Sequence, residues 1–77
     1  MADARAERHR QAAKNHEEAA ARHDEAAAYW RDRDDAERAE LERRNAAIER
    51  EAARLEHDRA DYLERGGEGA DPPAPSC

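Results

Sequence analysis

Between residues 2 and 65 the chain contains no glycine, proline, valine or threonine, and phenylalanine is missing altogether. Strands draw on β-branched and aromatic residues, so a sheet fold is excluded, while the Ala, Glu and Arg that fill this stretch are strong helix formers. Cysteine occurs once, at Cys77, which rules out an intrachain disulfide and a cysteine metal site; a prenylation signal would need it four residues from the end. No apolar run approaches the ~20 residues that span a bilayer, and no basic segment followed by an apolar one opens the chain. The expected compartment is therefore cytoplasmic. Serine is reduced to Ser76, and no glycine-rich loop is present. Without a nucleophile beside a base, or a phosphate cradle, neither an enzyme nor a cofactor nor a small-molecule substrate is expected.

A field of one sign is also lacking. The net charge is -6, yet residues 1–35 carry seven basic and nine acidic side chains and residues 36–65 carry seven and nine again. With no basic stripe, neither nucleic acid nor an anionic membrane surface is expected as a partner.

What is there is small and polar. Charged residues make up 44% of the chain and mean hydropathy is -1.42, while twenty of the apolar residues are alanine. The bulky ones are Met1, Tyr29, Trp30, Leu41, Ile48, Leu55, Tyr62 and Leu63. So few large apolar groups in a chain this short leave a lone monomer marginal, and self-association or a partner is expected.

A seven-residue repeat organises the first half. His9, His16, His23 and Trp30 recur at every seventh position, with Ala12/Ala13, Ala19/Ala20 and Ala26/Ala27 three and four residues on. This spacing places all ten on one helix face. In the second half Leu41, Ile48, Leu55 and Tyr62 form one row of a seam, and Arg38, Asn45, Ala52 and Arg59 the adjoining one. An Asn at such a position can set register and strand number. A further row, Ala39, Ala46, Ala53 and Ala60, lies nearly opposite and reads as helix filler or as a second close-packing surface.

Start and stop signals divide the chain. Asp3 is the expected N-cap of helix one, over about residues 3–31. The run RDRDD then marks a turn at about 32–35, where Asp34 with Glu37 fits a capping box opening helix two, over about 35–65. Gly66 suits the left-handed helix cap, and residues 66–77 form a Gly/Pro-rich tail expected to be disordered. The fold class is all-α: residues 1–65 form an antiparallel helical hairpin with coiled-coil-like packing, the His/Ala face of helix one lying on the Leu/Ile seam of helix two. The alternative is one continuous long helix in a coiled coil, because Ala6, Ala13, Ala20, Ala27, Asp34, Leu41, Ile48, Leu55 and Tyr62 keep one seven-residue phase throughout.

The histidine row invites the only chemical readings. Residues seven apart are separated by ~10.5 Å along a helix, too far to share an ion bound at ~2 Å, so no metal is expected within one chain. Three imidazoles on one packing face would charge together below about pH 6.5 and repel, which would make the row a pH switch. Its bland alternative is space-filling beside an Ala groove. Tyr29 and Trp30 are expected to plug the closed end of the hairpin against Leu41. The expected interface comprises His9, Ala13, His16, Ala20, His23, Ala27 and Trp30 from helix one. Helix two contributes Leu41, Asn45, Ile48, Ala52, Leu55 and Tyr62.

These features point to a small helical interaction or scaffold protein that pairs with itself as a homodimer, or with another helical protein. The Ala/Glu/Arg texture is also similar to that of LEA-like protectants, which implies a conditionally folded stress protein. A third expectation is a regulator that folds on a larger protein partner.

Overall fold

The computed structural model describes residues 3–67. Two helices of equal length, α1 (Ala4–Asp32) and α2 (Ala36–Glu64), pack on each other as an antiparallel hairpin. Each is ~43 Å long at ~1.5 Å per residue. A continuous helix does not form, and the seven-residue phase shared by the two halves carries no structural meaning across the turn.

The helices begin and end on side chains that answer their unpaired backbone groups. The Asp3 carboxylate accepts the Arg5 backbone N–H at 2.8 Å, as its expected cap role requires, and Glu7 lies in the first turn where the helix dipole favours a negative charge. At the far end of α1, the Asp35 N–H donates to the Trp30 carbonyl at 2.9 Å and the Asp34 N–H to the Arg31 carbonyl at 3.0 Å. That pair of bonds closes a helix through a residue in the left-handed region, and Asp34 supplies it at φ 60°. An aspartate tolerates this conformation because its short side chain can bond locally.

The expected cap of α2 is thereby corrected. Asp34, bound to the closure of α1 at positive φ, is not the N-cap of α2. Asp35 takes that position, its carboxylate accepting the Arg38 backbone N–H at 3.0 Å. At the end of α2 the closure recurs with Gly66 at φ 83°, its N–H donating to the Leu63 carbonyl at 3.1 Å and that of Gly67 to the Tyr62 carbonyl at 3.0 Å. Gly66 ends the helix where the sequence places it. The expected tail beyond Gly67, including Cys77, lies outside the described residues.

The core is made of methyl groups. Ala6, Ala13, Ala20 and Ala27 of α1 and Ala39, Ala46, Ala53 and Ala60 of α2 are buried, with Leu63 closing one end beside Ala6 and Ala60. Read antiparallel, the two rows match one for one, the residue numbers of each opposed pair totalling 66. This corrects the expected packing: the Ala row of α1 does face its neighbour, but it meets the Ala row of α2 rather than the Leu/Ile seam. Small side chains on both helices permit an axial separation near the ~8 Å lower limit. A leucine row in the same place would hold the axes further apart.

Candidate functional site

The position of each remaining side chain follows from that Ala register. Three residues after Ala6, Ala13 and Ala20 of α1 stand the histidines, and four before the opposed Ala60, Ala53 and Ala46 of α2 stand Glu56, Glu49 and Glu42. Accordingly Glu56 accepts from His9 Nδ1 at 3.0 Å, Glu49 from His16 at 2.7 Å and Glu42 from His23 at 3.2 Å. The numbers of each pair total 65. On the opposite flank, four residues beyond the alanines, Arg10 meets Glu64, Glu17 accepts from His57 Nε2 at 2.8 Å, and Asp24 meets Arg50. Two ladders of opposite charge thus border one strip of methyls. They fix the antiparallel register, since a slip of seven residues would strand an end pair of each.

The histidine row therefore has a different electrostatic setting from the one expected. Each imidazole has a carboxylate at hydrogen-bond distance, whereas its neighbours in the row are ~10.5 Å away. Around Glu56, partial burial works to raise the carboxyl, but hydrogen bonds and charge from His9 and Arg59 outweigh it and hold it below the usual carboxylate range. The hydrogen bond from Arg50 likewise lowers Asp24 and raises Arg50 itself, and Glu64 raises Arg10. Among the described residues no group of three or more His, Cys, Asp or Glu side chains is placed to hold a metal ion.

The expected interface residues divide into three sets. Ala13, Ala20 and Ala27 are buried within the hairpin, and His9, His16 and His23 are half-buried at its border. Ala52 is half-buried and Asn45 exposed. Leu41, Ile48, Leu55 and Tyr62 face outward, exposed to 50%, 66%, 50% and 44% of their surface. The reason is angular: each lies two residues after a core alanine, about 200° round the helix. The equivalent outward row of α1 is Arg8, Asn15, Arg22 and Tyr29, which are also exposed but mostly polar. Only α2 therefore presents a continuous apolar stripe to its surroundings.

At the turn the aromatic pair behaves differently from a plug. Tyr29 and Trp30 meet edge to face at 4.9 Å between centroids, Arg33 stacks over Tyr29 at 3.4 Å and Arg38 over Trp30 at 4.4 Å. Rather than sealing against Leu41, Trp30 shares with Leu41, Arg38, Glu42 and Asn45 the lining of an open depression of about 310 Å³. It sits at the turn end of the apolar stripe.

The glutamates of the first ladder and the buried Ala39 row are the structural residues that the sequence reading left out of the interface. Their signal was the seven-residue spacing of Glu42, Glu49 and Glu56, which mirrors that of the histidines when α2 is read backwards. No helix among the described residues is long and apolar enough to cross a membrane. No protein-family model, curated protein or solved structure matches the chain.

Proposed function

We propose that this is a non-enzymatic cytoplasmic interaction or scaffold protein that works as a homo-oligomer, using the outer face of α2 as its docking surface. One observation carries the reading: the hairpin buries one alanine row of each helix, with Leu63 at the end, and leaves Leu41, Ile48, Leu55 and Tyr62 outside. An isolated exposed leucine needs no explanation, but four large apolar residues at seven-residue intervals along one helix make the kind of stripe through which coiled coils associate. The hairpin itself supports the need for a partner. A buried methyl contributes only about 0.8 kcal/mol, and half-exposed ion pairs add little each, so covering the stripe is a substantial part of the stability open to this chain.

Sedimentation equilibrium on the full chain, from nanomolar to micromolar concentration and alongside circular dichroism, tests the reading. A folded dimer that dissociates on dilution supports it. A folded monomer throughout directs the stripe to another helical protein, and an unfolded monomer favours the conditionally folded protectant.

A further inference from the structure

Resting on that reading, we propose that the occupant of the stripe is the same stripe of a second copy, laid antiparallel about a two-fold axis beside Glu51. The register comes from the residues themselves. Antiparallel self-pairing sets Leu41 against Tyr62 of the second copy and Ile48 against Leu55, the numbers totalling 103, so that all four large side chains are matched.

The hairpin shows what flanks such a contact. There the core pairs total 66 and the row three residues further on pairs at 65. Applied to the outer stripe, the row three residues on is Arg44, Glu51, Asp58 and Arg65, preceded by Glu37, and it pairs at 102. Glu37 then meets Arg65 of the second copy and Arg44 meets Asp58, each twice by symmetry. Only Glu51 meets its own counterpart, and its carboxylate already holds Arg54. Among the described residues, Glu37, Asp58 and Arg65 form no ion pair within the hairpin. A parallel pairing is less well matched, setting Glu37 beside Glu42 of the second copy and Glu51 beside Glu56 against one opposite-charge pair, Arg44 with Glu49.

Shape agrees with charge at the ends. The antiparallel register brings Tyr62 of the second copy to Leu41, at the mouth of the depression beside Trp30. An aromatic ring can enter a site of that size and stack beside an arginine. The assembly is a flat row of four helices with the two α2 helices at its centre.

Three single-cysteine chains, Glu37→Cys, Glu51→Cys and Arg65→Cys in a Cys77→Ser background, each carry one nitroxide, and pulsed electron resonance reads the distance between copies. The expected pattern is a short distance, ~15 Å, at 51 and ~40 Å at both 37 and 65, from ~1.5 Å of rise per residue on each side of the axis. Mixing the 37 and 65 chains gives a short distance again. Equal short distances at all three sites, or a long one at 51, overturn this register while leaving self-association standing. A monomer at every concentration overturns both. Independently, Arg44→Asp and Asp58→Arg each weaken the dimer about tenfold, and the two together restore it; failure of the double variant to recover contradicts the pairing. Trp30 is the single tryptophan, so its emission shifts on dilution of the parent, and absence of that shift contradicts the seating of Tyr62.

Discussion

The two faces of α2 carry opposite kinds of apolar side chain. Inward, Ala39, Ala46, Ala53 and Ala60 are buried against the alanines of α1 with little side chain between the backbones; outward, Leu41, Ile48, Leu55 and Tyr62 are 44–66% exposed. The contrast teaches that hydrophobic size does not decide which stripe a hairpin closes on. A short turn forces the helices together, and the closest fit goes to the row with the least bulk, provided that its borders are electrostatically matched. The His–Glu and Arg–acid ladders provide that match. The large side chains of Leu41, Ile48, Leu55 and Tyr62 are left on the outer face, where the proposed second copy would meet them.

The most disruptive way to break the comparison is to put an outer residue inside. Ala46→Leu overpacks the methyl strip, and a loss of about 3 kcal/mol in hairpin stability is expected, read from the thermal melt by circular dichroism. Ile48→Glu makes the reverse change: the melt of the diluted chain moves by no more than about 0.5 kcal/mol, as for other exposed positions, while the dimer dissociation constant rises about a hundredfold. An unaltered mass for that variant would remove the outer face from the account.

Smaller effects sharpen the roles of the turn and the ladder. Asp34→Val places a β-branched residue at φ 60° and costs about 1–2 kcal/mol, whereas Asp34→Gly does not destabilise; equal melts for the two would deny the left-handed closure. In acid, Glu56 gives the sign of the expected change. Because its carboxyl is held below the usual range, its contribution is fully present above about pH 4.5, the ordinary range for glutamate, and is lost as the pH falls through its lowered folded value. Glu56→Gln flattens that part of the stability curve by under about 1 kcal/mol, and an unchanged acid slope would contradict the pairing with His9 and Arg59.

Much of the fold was legible in the sequence because backbone chemistry leaves plain marks. The absence of Gly and Pro before residue 66, Asp3 at the first cap and Gly66 at the last set the outer limits of both helices. The RDRDD run located the turn, but Asp34 and Asp35 exchange roles, since two adjacent aspartates offer the same chemistry and only the closure of α1 decides between them. The facing of α2 was not legible. Alanine is both the best helix filler and the best close-packing residue, so the Ala39 row carried no distinguishing signal, while the leucine row attracted the assignment by its bulk. Glu42, Glu49 and Glu56 were hidden for a related reason: among so many acidic residues, a regular row is visible only after the partner helix has been chosen.

Which row faces inward is best decided by crosslinking within the chain. In a Cys77→Ser background, Ala20→Cys with Ala46→Cys is compared with Ala20→Cys and Ile48→Cys at nanomolar dilution, where only intrachain bonds form. A disulfide needs its two Cα atoms within about 7 Å. The first pair is expected to close rapidly and raise the melting temperature, and the second to stay reduced; rapid closure of the second pair with none in the first would contradict the account.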